Sequence, residues 1–180
     1  MIKRVLSVLM IVIMSLGVFS SCGKDYEKSF DYNSGEEYEE LLYEDGKFEV
    51  YFIKCSKLTL NNFFNRSSSI TLKIKNKTDK EIRTEMDGFL FNDTGADIKY
   101  YSPDDFLNTR IIEQKNEKII RFSFKHAPDD VKGNNIINFY LSFYDGDKLI
   151  KQTNKIILNI TSIRTPDNFS NIFSNSTNKS

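Results

Sequence analysis

The chain has 180 residues with 25 basic and 25 acidic side chains, and 39% of it is hydrophobic. So even a balance supplies no basic surface for neutralising phosphates, and nucleic acid is not expected as a partner. The length suits one domain with tails rather than several domains, since domains of about 100–150 residues are the commonest.

Lys3 and Arg4 precede an apolar run from Val5 to Phe19, which stops at Ser20-Ser21-Cys22. A charged start, an apolar middle of about 7–15 residues and small residues at the exit are the parts of a secretory signal, too short to span a bilayer comfortably. Phe19-Ser20-Ser21-Cys22 resembles the lipobox of bacterial lipoproteins, with Phe19 where that family normally has leucine. The resemblance implies that residues 1–21 are a removed signal peptide and that Cys22 is lipidated and becomes the new N-terminus. It also implies an extracytoplasmic place in the bacterial cell envelope, with the membrane as a partner through the lipid anchor. Each buried methylene contributes about 0.8 kcal/mol, so more than one acyl chain at Cys22 holds a protein at a membrane surface without spanning it. A true membrane anchor, or a cleaved signal that leaves Cys22 an ordinary thiol, are the alternatives. Removing residues 1–21 takes Lys3 and Arg4 away and leaves 23 basic against 25 acidic side chains.

Residues 22–46 follow, where nine acids from Asp25 to Asp45 face only Lys24 and Lys28. High net charge with few aliphatic side chains predicts a solvated tether between lipid and domain, with at most one helical turn around Tyr38, Leu41 and Leu42. From residue 47 the pattern changes to short segments of period two separated by turn residues, which predicts an all-β domain over 47–163. Phe48, Val50 and Phe52 share one face of the first strand. Cys55 follows as a small apolar core residue; with Cys22 lipidated it has no partner for a disulfide.

Ile70, Leu72 and Ile74 alternate with Thr71, Lys73 and Lys75, giving one core face and one wet face. Asn76-Lys77-Thr78-Asp79 supplies a turn, and Glu85 to Asn92 carries Phe89 and Phe91 to one side before Asp93-Thr94-Gly95 breaks the strand. Ile98 to Tyr101 is a short strand ended by Pro103, with a helical turn expected over Asp104 to Asn108. Ile120, Phe122 and Phe124 make one central strand and Ile137, Phe139, Leu141 and Phe143 another. Asp145-Gly146 between apolar alternations predicts a hairpin, because both residues tolerate positive φ. Ile156, Leu158 and Ile160 complete the last strand, and residues 164–180 form a tail rich in Asn and Ser, from which only Phe169, Ile172 and Phe173 could pack back.

About seven strands at this spacing are the count of an immunoglobulin-like sandwich of antiparallel strands. Ile70 to Ile82, followed by Gly88-Phe89-Leu90-Phe91-Asn92-Asp93-Thr94-Gly95, resembles the strand, Asn-containing turn and strand of immunoglobulin-like domains in bacterial lipoproteins of unknown function. With no tryptophan and no cysteine pair to pin the sheets, 15 phenylalanines must supply the buried area. The resemblance carries no catalytic residues.

His126 is the only histidine, so any Ser/His or Cys/His relay would depend on it; its place before Ala127-Pro128-Asp129-Asp130 predicts an exposed loop imidazole. No glycines form a phosphate-cradling loop. Asp104-Asp105, Asp129-Asp130 and Asp145-Gly146-Asp147 offer hard oxygen ligands for calcium, yet none has EF-hand spacing and turn chemistry explains aspartates there, so no metal and no cofactor is expected. Tyr100, Tyr101, Tyr140 and Tyr144 are the candidate contact surface, amphipathic side chains on strands. The expected protein is a non-catalytic, lipid-anchored interaction or envelope-structural module with an envelope protein as possible partner. The alternative is a small-ligand or ion-binding lipoprotein that delivers cargo to an envelope partner.

Overall fold

The computed structural model describes residues 28–60, 67–101 and 110–164. The expected signal peptide, Cys22, the turn expected over Asp104 to Asn108 and the tail beyond Arg164 lie outside the described residues.

Period-two alternation becomes strand throughout. The strands are β1 (Lys28–Asn33), β2 (Glu40–Glu44), β3 (Phe48–Ser56), β4 (Thr59–Leu60), β5 (Ser67–Asn76), β6 (Ile82–Phe91) and β7 (Thr94–Gly95). They continue with β8 (Ile98–Tyr101), β9 (Ile111–Ile112), β10 (Glu117–Lys125), β11 (Asn134–Asp145), β12 (Lys148–Gln152), β13 (Ile156–Thr161) and β14 (Ile163–Arg164). One sheet runs β1-β13-β11-β6-β7, with β12 on β11 and β9 on β6; the other runs β2-β3-β5-β10-β8, and β14 pairs β4. Lettering β3, β5, β6, β7, β8, β10, β11 and β13 as A, B, C, C′, D, E, F and G gives sheets A-B-E-D and G-F-C-C′. That is the strand order of an immunoglobulin-like sandwich.

The two inner faces meet through aromatic rings. Phe48 of β3 stacks on Phe143 of β11 with centroids 4.0 Å apart and planes 8° from parallel, and Phe124 of β10 lies 4.8 Å from Phe89 and 5.3 Å from Phe91 of β6. These contacts hold the sheets where antibody domains use a disulfide and a tryptophan. Phe48, Phe52, Phe91, Phe122, Phe124, Phe139 and Phe143 are all fully buried; each such side chain contributes about 1.5–3 kcal/mol relative to exposure.

Buried asparagines close the two ends. Asn76 Nδ2 donates to the carbonyls of Lys80, Ile112 and Glu113, while its Oδ1 accepts the Thr78 N–H at 3.0 Å. At the other end Asn135 Nδ2 donates to Lys132 O, Ile160 O and Ser162 Oγ, and its Oδ1 accepts from Lys132 N and Asn92 Nδ2. A buried amide is stable only when its donors and acceptors are matched, and both of these are.

Two expectations are corrected. The segment 22–46 is not all tether, since β1 and β2 lie within it and belong to the two sheets. Few of its side chains are apolar, but those few point inward: Tyr32 and Leu42 are buried, and the Tyr32 ring lies 4.1 Å from Phe52. Asp31 alternates outward from Tyr32, and in β2 Leu42 is buried between exposed Glu40 and Glu44 where the register with β3 shifts, so flanking charge does not prevent burial. The domain therefore starts by residue 28, not 47. The expected strands pair antiparallel, and β1, an additional strand, joins β13 parallel from Lys28↔Ile156 to Asn33↔Thr161. The chain does not simply stop being strand at Asp93-Thr94-Gly95: Asn92 and Asp93 have φ of 47° and 67°, a two-residue turn that returns it into β7. Both β11 and β10 are flanked by strands on either side, as expected of central strands.

Candidate functional site

The outer face of the β2-β3-β5-β10-β8 sheet changes character along its length. Toward β2 and β3 its cations are paired: Lys73 with Glu39, Lys77 with Glu49 and Glu44, and Lys75 with Glu49 and Glu117 at 3.6 and 3.7 Å. The Tyr51 ring lies under Lys73 and Lys75, 4.8 and 5.1 Å from their ammonium nitrogens.

Toward β8 the pairing stops. The antiparallel register sets Arg121 opposite Tyr101 and Ser123 opposite Lys99, and on the far side sets Lys125 opposite Ser67. Because alternate residues share a face, all of these side chains stand on the outer surface, while Phe122 and Phe124 go inward. Lys57, turned by a φ of 68° after β3, joins them. Together with Asp97 and Phe124 they line a cleft of about 410 Å³. Among the described residues the side chains of Lys99, Arg121 and Lys125 have no ion pair or hydrogen bond, and Asp97 is the one carboxylate in the lining. Beside Arg121 on the same face, Thr71 keeps a buried Oγ1 without a hydrogen-bond partner among the described residues. Three uncompensated cations, an aromatic ring and two hydroxyls in a recess make an anion-binding surface.

The structure does not bring the four predicted tyrosines together. Tyr101 is 43% exposed and belongs to this cleft. Tyr100, next to it on β8, points inward instead; it packs edge-on against Phe122 at 5.4 Å and its hydroxyl accepts the Met86 N–H at 3.3 Å. Burial pushes the Tyr100 phenol above its ordinary range. Tyr140 and Tyr144 stand on the outer face of the other sheet, where the Tyr144 ring is 4.5 Å from the Arg83 guanidinium. Tyr140 covers Gly88.

His126 is not an exposed loop imidazole. It lies half-buried, 5.3 Å from the Phe91 ring, with Nε2 2.9 Å from Ser68 Oγ and Nδ1 3.0 Å from the carbonyl of Ala127. A carbonyl can only accept, which makes Nδ1 a protonated nitrogen, while the Ser68 hydroxyl has two acceptors within reach, His126 Nε2 and the carbonyl of Lys57 at 3.3 Å. Ser68 is 2% exposed, and a backbone carbonyl rather than a carboxylate orients the ring. Cys55 is fully buried and burial pushes its thiol well above the ordinary range. Of the loop aspartates, Asp130 accepts the Ala127 N–H and Asp145 pairs with Lys80. Among the described residues no three His, Cys, Asp or Glu side chains gather as a metal site.

The sequence shows no cationic cluster because these residues sit at positions 57, 99, 121 and 125, each beside neutral or acidic neighbours. The one local signal is the alternation Arg121, Ser123, Lys125 on the wet face of β10.

No family model matches the chain, and no curated protein is similar to it. Among solved structures it is similar to the GAE domain of yeast GGA1, with 5% identity and a TM-score of 0.39 over 68% of this chain and 98% of that one. A FixG-related protein from Vibrio parahaemolyticus shows 17% identity and a TM-score of 0.37 over 64% and 94%. An uncharacterised β-sandwich protein from Clostridium difficile 630 shows 20% identity and a TM-score of 0.37 over 76% and 97%.

Proposed function

We propose that this protein is a lipid-anchored extracytoplasmic binding module of the bacterial cell envelope, and that it is not a catalyst. The observation that carries the binding role is the open cleft at β8 and β10, where three cations stand without partners among the described residues. Unpaired cations in a recess gain more from an arriving anion than cations already held by carboxylates. The arrangement at His126 supports the non-catalytic part. A serine nucleophile must reach its substrate, and the Ser68 hydroxyl is buried.

Anchoring is supported by Lys3-Arg4, the apolar run and Cys22. With β1 beginning at Lys28, only residues 23–27 separate Cys22 from the sandwich. Five residues span at most about 18 Å however they are arranged, so the domain stands close to the bilayer rather than at the end of a long spacer. Mass spectrometry of the membrane-extracted protein tests this: diacylglyceryl-modified Cys22 is expected as the N-terminus, and a mature N-terminus elsewhere refutes it. Capture of a small ligand for delivery to an envelope partner is the second reading. The cleft volume of about 410 Å³ favours it, being in the range of small-molecule sites, about 300–1,000 Å³.

A further inference from the structure

We infer that the cleft between β8 and β10 binds an acidic saccharide, with Arg121, Lys99 and Lys125 holding its acid groups and Tyr101 carrying a sugar ring. This deepens the binding-module reading and rests on it.

The charge argument comes first. Around the rest of this sheet face the carboxylates Glu39, Glu44, Glu49 and Glu117 already occupy the lysines, whereas Arg121, Lys99 and Lys125 have no counter-ion among the described residues. An arriving anion therefore displaces no internal pair. Arg121 presents a planar fork that matches the two oxygens of a carboxylate or the oxygens of a sulfate or phosphate ester, and the flanking lysines add point charges.

Carbohydrate follows from the rest of the lining. Tyr101 is 43% exposed and sits directly across from Arg121, offering a flat ring beside the charge. The C–H face of a pyranose packs on such a ring while its substituents reach the neighbouring cation. Ser67 and Ser123 bring hydroxyls that both donate and accept, as sugar hydroxyls require. Asp97 accepts from a sugar hydroxyl, a donor that the phosphodiester backbone of oligothymidylate does not offer. A recess also suits a protruding ring better than the flat surface of a bilayer does.

Isothermal titration of the full chain in detergent micelles tests the inference with four oligomers and one simpler anion. The probes are hexagalacturonate, a heparin hexasaccharide, maltohexaose, oligothymidylate and inorganic phosphate. Binding of hexagalacturonate or the heparin hexasaccharide is expected, weakening with salt, with maltohexaose inert. Arg121→Gln should weaken it about tenfold, as expected for the loss of one charge-assisted contact. Tyr101→Ala should weaken saccharide binding while leaving phosphate binding unchanged. Lys99→Gln and Lys125→Gln give the same test should Arg121→Gln lower the melting temperature. The inference is overturned if neither acidic saccharide binds, if the substitutions leave affinity unchanged, or if oligothymidylate binds more tightly than both saccharides. Such a failure with Cys22 lipidated leaves the anchored module standing, whereas a different N-terminus with saccharide binding intact removes the anchor alone.

Discussion

Glu49 stands on the outer face of β3, where Lys77 and Lys75 pair with it and the Tyr51 hydroxyl donates to its Oε2 at 2.7 Å. The Lys77 contact and then the Tyr51 hydrogen bond favour the ionised form and hold the carboxyl down to about 2, against an ordinary 4.5. The unfolded chain therefore takes up a proton at this site before the folded one does. A depressed folded value means that the group stabilises the fold above pH 4.5 and that this contribution fades as pH falls toward about 2. Glu49→Gln should accordingly be less stable than the parent near neutral pH, and the gap should close across that acid window in urea titrations. A gap of constant size would show that the charge is not what matters there. Lys77, whose own ammonium is held charged by Glu49 and Glu44, belongs to the same cluster.

At the scale of elements, the pairing of β6 with β11 contains a bulge: Asn138 faces Leu90 but Tyr140 faces Asp87, leaving one extra residue on β6. Gly88 takes the left-handed φ of 58° that such a bulge needs, and a Cβ there would stand 3.2 Å from the Tyr140 ring. Gly88→Ala should cost about 1–3 kcal/mol in denaturant unfolding, from backbone strain and crowding together. A neutral result would mean that the bulge relaxes freely. Period two made Ile70, Leu72 and Ile74 or Ile137 through Phe143 legible as core faces, and Asp145-Gly146 legible as a hairpin, because those signals are local. The bulge at Gly88 was not legible, since an extra residue on one strand is defined only by its partner. Nor was the cleft: Arg121 meets Lys99, Tyr101 and Lys57 through sheet register and a turn, and register is a relation between distant segments.

For the whole molecule, the decisive difference is where the domain begins. Composition between residues 22 and 46 hides Tyr32 and Leu42 among acids, yet both side chains lie in the core. Together they contribute about 3–6 kcal/mol of burial, a large part of the 5–15 kcal/mol that typically stabilises a domain. A fragment beginning at Lys47 should therefore fail to unfold cooperatively and should aggregate, while one beginning at Gly23 should melt in a single sharp transition. Equal melting curves for the two would show that β1 and β2 are dispensable.

The parallel match of β1 with β13 matters mechanically as well. Tension applied between the two ends of the polypeptide pulls the N-terminal side of β1 and the far side of β13 in opposite directions along the strand axis. The six registered positions from Lys28 to Asn33 then bear load in shear, all at once, instead of peeling open singly. Pulled by single-molecule force spectroscopy from its termini, the domain should yield at a higher force than when pulled across the Asp145-Gly146 hairpin, so that, anchored at its front end as proposed, it would resist being dragged apart by what it holds.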